Sequence, residues 1–83
     1  MTISPLLQVV EHLERGDWTA AHALAQEESS ALGFWAHGIV HLIEGDIDNA
    51  RYWYERAQRV LPDASAVKAE IAALRAAVQS AMP

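Results

Sequence analysis

The chain has no cysteine. Disulfides, thiolate nucleophiles and all cysteine-ligated metals and clusters are therefore excluded. Chain breakers are scarce, with four glycines and three prolines against sixteen alanines in 83 residues, a balance that favours helix. Positive charge is scarce as well. Six Lys and Arg face eleven Asp and Glu, for a formal charge of -5, which argues against nucleic acid or an anionic membrane as a partner. No basic segment precedes an apolar run near Met1, so no secretory leader is expected. The most apolar stretch, Ala31 to Ile43, is interrupted by His37 and His41 and is thirteen residues long. A bilayer needs about 20. A soluble cytoplasmic protein is the expectation. With 52% hydrophobic and 20% charged residues, the chain should form one small globular domain.

The apolar spacing predicts an all-α fold of five helices. Ser4 and Pro5 suit the start of the first, whose inward face is Leu6, Val9, Val10 and Leu13. Gly16 should end it, and Asp17 should cap a second helix carrying Trp18, Ala21, Leu24 and Ala25. The third, Ala31 to Glu44, is apolar around most of its circumference and should be the most buried. Gly45 stops it, and Asp46 or Asp48 opens a fourth running to about Val60, with Ala50, Trp53 or Tyr54, Ala57 and Val60 facing inward. Pro62 breaks the chain. Asp63 or Ser65 then caps a fifth helix with Val67, Ile71, Leu74, Val78 and Ala81 on one seam. Short loops imply antiparallel neighbours. The expected organisation is one domain, with a hairpin over residues 4–29, a second over 31–61 and a terminal helix over 64–81.

The two hairpins repeat. Leu13-Glu-Arg-Gly-Asp-Trp-Thr-Ala-Ala21 recurs, twenty-nine residues on, as Leu42-Ile-Glu-Gly-Asp-Ile-Asp-Asn-Ala50. Within the second unit Phe34-x2-His37-Gly38-x2-His41, then Ala50-x3-Tyr54, then Pro62 fall at the spacing of the tetratricopeptide landmarks. The second hairpin therefore resembles a tetratricopeptide repeat. The first keeps Gly16, Asp17 and Ala21 but has Val9 and Ala25 where the second has Gly38 and Tyr54. The resemblance implies two stacked hairpins with a capping helix. Gly38 and Ala50 would let helices approach, and Tyr54 would fill the space beside them. The string from Trp35 to Trp53 is also similar to that of a group of small uncharacterised bacterial proteins, to which no activity is assigned.

His37, His41 and Glu44, at i, i+4 and i+7, share one stripe of the third helix. Two imidazoles one turn apart suit a bidentate zinc site, with Glu44 or His22 as a third ligand. They equally suit an acid/base pair oriented by the carboxylate. Against both stands packing: in the repeat register these positions face the partner helix, where a histidine can bury its ring and hydrogen-bond a carbonyl or carboxylate. No H-E-x-x-H order or nucleophile elbow accompanies the stripe. His12 corresponds to His41 in the repeat, which favours packing there too. Asp46-Ile-Asp48-Asn49 lacks the glycine and distal glutamate of a calcium loop and reads as a helix cap. Arg51, Glu55 and Arg59 read as a solvated ion-pair ladder.

The resemblance also implies a concave groove, lined by Ile3, Leu6, Val10 and Leu13 and by Leu32, Trp35, Ile39, Leu42 and Ile43. So apolar a surface requires a cover: the fifth helix, a second copy of the chain, or a helical peptide. The expected role is thus a protein–protein interaction module rather than an enzyme. It would bind a helix or form a homo-oligomer through Leu6, Val10, Leu13, Trp35, Ile39, Leu42 and Tyr52, with Trp35 and Tyr52 as anchors. No cofactor and no metal are expected on that reading. The alternative is a small metal or acid/base site on His37, His41, Glu44 and His22.

Overall fold

Each Gly-Asp pair makes a tight reversal between antiparallel helices in the computed structural model, which describes residues 4–82. Helix α1 (Pro5–Glu14) turns into α2 (Trp18–Ala25), and α3 (Ala31–Glu44) turns into α4 (Ile47–Arg56). Gly16 and Gly45 take φ of +76° and +80°, a conformation that side-chain-bearing residues rarely adopt. The next amide then reaches back: Asp17 N–H donates to His12 O at 2.9 Å and Asp46 N–H to His41 O at 3.0 Å. The same aspartates start the following helix, Asp17 accepting from the Ala20 amide at 3.2 Å and Asp46 from the Asn49 amide at 3.5 Å. Two residues thereby end one helix and begin another. Ser30 caps α3, accepting from the Gly33 amide at 3.1 Å. A 3-10 turn (Ala64–Ala66), opened by Asp63, leads into α5 (Val67–Ala81).

The fold is all-α: two antiparallel hairpins and a terminal helix. α3 is the centre, touching α1, α2, α4 and α5. Val9 and Val10 of α1, Ala21 and Ala25 of α2, Trp35, Ile39 and Val40 of α3, Tyr54 of α4, and Leu74 and Val78 of α5 form one core. Gly38 makes the α3–α4 contact possible, since a Cβ there would lie 2.6 Å from Cδ1 of Tyr54. The tyrosine ring thus fills the notch that the missing side chain leaves.

The apolar surface expected to form a groove is occupied from within the chain. α5 lies across α1 and α3. Val10, Leu13, Ile39 and Leu42 are buried, Leu6 and Leu32 are partly so, and Trp35 is 1% exposed. Ile3 lies outside the described residues. A polar tie holds the fifth helix down: Oε1 of Glu70 accepts from Nε1–H of Trp35 at 3.1 Å and from the Tyr54 hydroxyl at 2.7 Å. Trp35 is therefore a buried structural residue and not an accessible anchor. Across the far end of the contact, Arg75 donates to Glu14 through Nε at 2.6 Å and Nη2 at 2.7 Å.

α4 ends at Arg56, four residues before the expected Val60. Gln58 turns left-handed (φ 60°), and the Arg59 amide donates back to Tyr54 O at 2.9 Å. Pro62 forces Leu61 away from helix, and Leu61 packs against the core, so the chain must reverse before it. Val60, expected inward, is 91% exposed as a result. The expected Arg51–Glu55–Arg59 ladder does not form either. Arg51 donates to Asp48 at 3.1 Å, and Arg59, past the helix end, lies over the Trp35 ring at 3.5 Å.

Candidate metal centre

α2 and α3 run side by side, and their contact brings together three histidines. His22 comes from α2, and His37 and His41 come from successive turns of α3. Their ring centroids lie 4.6 Å (His22–His37), 5.4 Å (His22–His41) and 5.0 Å (His37–His41) apart. One nitrogen from each lies within 4.8 Å of the others. The two α3 rings are within 23° of parallel, while His22 stands edge-on to both, at 89° and 77°. Spacing on one helix makes the α3 pair legible, and of the two residues expected as a third ligand, Glu44 and His22, it is His22 that joins them.

Each ring is held differently. His37 is 6% exposed and stacks on Trp53 of α4, with centroids 3.9 Å apart and planes 12° apart. Burial, then the neighbouring His22 and His41, pushes its imidazole down to about 4, so it is neutral at pH 7. His37 makes no side-chain hydrogen bond among the described residues, and no side-chain nitrogen is sealed from solvent without one. Its lone pair is left available. His41 is half-buried and donates from Nδ1 to Oε1 of Glu44 at 3.0 Å. With the proton on Nδ1, the lone pair resides on Nε2.

Glu44 therefore takes a different place from the one expected for a ligand. It binds Nδ1 of His41, a bond of the kind by which carboxylates commonly orient metal-bound histidines. It stands outside the converging group of His22, His37 and His41. His12 stands apart from the trio, accepting from Nη2 of Arg15 at 3.1 Å. Asp46 is the α4 cap and Asp48 the partner of Arg51, in line with a capping role for that acidic segment.

The donor set is chemically coherent. Neutral imidazole suits zinc, copper(II), nickel and iron(II), and the lack of thiolate disfavours copper(I) and iron–sulfur chemistry. In a tetrahedral zinc site with bonds of about 2.0–2.1 Å, ligand nitrogens are about 3.3 Å apart. With all three nitrogens within 4.8 Å of one another, the widest pair must close by at most about 1.5 Å to match that spacing. Trp53 fixes His37, so His22 and His41, both half-buried, would make the adjustment.

Trp53 is the residue that sequence reasoning missed, because spacing left it level with Tyr54 for the inward position. Its far neighbours form a second cluster. Phe34 lies 5.7 Å and Tyr52 5.1 Å from its ring, and the Arg56 guanidinium sits 4.8 to 5.6 Å from all three rings. Tyr52 is 51% exposed, and of the expected anchors it is the accessible one. Among the described residues no helix is long and apolar enough to cross a membrane. No family model matches the chain, and comparison with curated proteins and solved structures found no match.

Proposed function

We propose that the chain is a divalent-metal-binding helical module whose centre is His22, His37 and His41. The observation that carries this reading is the convergence of three imidazoles, one nitrogen from each within 4.8 Å of the others, on a buried and neutral His37. In this reading Trp53 holds the His37 ring in place, and Glu44 sets the tautomer of His41. His22 ties α2 to α3, so an ion would lock the two hairpins together. Binding of the ion to the folded chain alone would also stabilise the fold.

Calorimetric titration of Zn2+ into the wild-type chain and into His37→Ala/His41→Ala tests the proposal. One ion per chain with micromolar or tighter affinity is expected, and loss of binding in the variant with helicity retained. Weak binding of several ions, unchanged in the variant, would refute it.

Protein–protein interaction is a second reading, and the Tyr52, Trp53, Phe34 and Arg56 cluster supports it. Aromatic and arginine side chains at a surface are common anchors for a protein, a peptide or a second copy of the chain. Self-association measured by sedimentation, and its loss in Tyr52→Ala, is the expected result. A monomer at high micromolar concentration would remove the homo-oligomer form of this reading.

A further inference from the structure

We infer that a metal ion in this centre keeps a fourth coordination position open to solvent and takes a small anion there. The inference rests on the three-histidine reading above and specifies what such a centre would bind.

Ligand number is the first ground. Three residues converge, and among the described residues no carboxylate joins them. Glu44 is occupied by its bond to Nδ1 of His41, which leaves Nε2 as the nitrogen free to ligate. Ions of the zinc class take four ligands in such surroundings, so one position falls to something outside this chain. Access is the second ground. His22 is partly exposed, the His41 side chain keeps 12% of its exposure, and the His37 nitrogens are not sealed, so solvent reaches the group. The ring of Trp53 covers one side of His37, and the open position would be bordered by that apolar plate.

Charge decides what enters. Three neutral imidazoles leave the full double charge on the ion, and a single carboxylate in the outer layer offsets only part of it. Beyond Trp53, the guanidinium of Arg56 has no carboxylate partner among the described residues, which adds positive field on that side. A centre of this kind favours an anionic fourth ligand, such as hydroxide, a carboxylate or a small inorganic anion, over a neutral one.

Cobalt substitution tests this. Co2+ added to the wild-type chain should produce the visible absorption of a four-coordinate ion. Adding azide, and separately acetate, should shift those bands with a saturable response at one anion per cobalt. Both effects should vanish in His37→Ala/His41→Ala. Bands that form and do not move at saturating azide would overturn the inference and leave the metal reading standing. A cobalt-dependent doubling of sedimentation mass in that case would identify a second copy as the source of the fourth ligand. Absence of any cobalt spectrum would overturn the metal reading, and this inference with it.

Discussion

Replacing Glu70 probes what keeps α5 over the rest of the core. One oxygen, Oε1, accepts from both Trp35 and Tyr54, and both of these side chains are buried. In Glu70→Ala two buried donors lose their acceptor, at about 1–3 kcal/mol each by the usual cost of an unsatisfied group. Glu70 itself is half-exposed, so water can enter and relieve part of the loss. A net cost of about 2–4 kcal/mol is expected, against a total of about 3–5 kcal/mol for a domain this small. Alanine is a slightly better helix former than glutamate, which works in the opposite direction by only a few tenths of a kcal/mol. Burial, followed by the Glu70 hydrogen bond, pushes the Tyr54 hydroxyl well above its ordinary range, so it remains a donor at any accessible pH. Glu70→Gln keeps an oxygen acceptor and loses only the charge assistance, about 1 kcal/mol. Urea unfolding followed by circular dichroism should rank wild type above Glu70→Gln and Glu70→Ala last, with the alanine variant partly unfolded before urea is added. An alanine variant within about 0.5 kcal/mol of wild type would refute the reasoning, because Leu74 and Val78 alone would then suffice to hold the helix.

Three further outcomes are expected. The folded chain holds His37 near 4, and the unfolded chain near 6.5, so the unfolded state protonates first as pH falls. Stability from this group is complete above about 6.5 and declines toward 4, by about 2 kcal/mol between pH 7 and pH 5. Urea unfolding at both pH values should show that decline, and His37→Leu should flatten it; an unchanged decline in the variant would contradict the assignment. Gly38→Ala places a methyl 2.6 Å from a tyrosine ring that Glu70 pins, so overpacking of about 1–3 kcal/mol should outweigh about 1 kcal/mol of helix propensity. Its melting temperature should fall, and a rise would mean that α3 and α4 separate freely. Glu44→Gln should weaken zinc binding about 10- to 100-fold with one ion per chain retained. Unchanged affinity would deny the carboxylate its orienting role.

The parts of the fold that local chemistry determines were legible in the sequence. Gly16-Asp17 and Gly45-Asp46 carry both the left-handed turn and the following cap within two residues, and both turns form where they were expected. The apolar arc of α3 was legible as a face to be covered, but its cover was not. A helix of the same chain, a second copy or a foreign peptide would bury the same residues, and only the Glu70 bonds to Trp35 and Tyr54 distinguish the first. The end of α4 was misplaced for a similar reason. Gln58 is not a residue that announces a left-handed turn, and the need for one comes from Leu61 packing in three dimensions. At the candidate site, the i, i+4 spacing put His37 and His41 on one stripe. The ring stacking of Trp53 and the edge-on approach of His22 come from other helices and leave no trace in spacing.

The central claim is that three imidazoles from two helices hold one ion. X-ray absorption at the metal edge of the zinc-titrated chain counts those ligands directly. Three imidazoles, marked by scattering from their ring carbons, with nitrogens at about 2.0–2.1 Å and one further oxygen or nitrogen ligand are expected. One imidazole or none, with a shell of water and carboxylate oxygens, would contradict it.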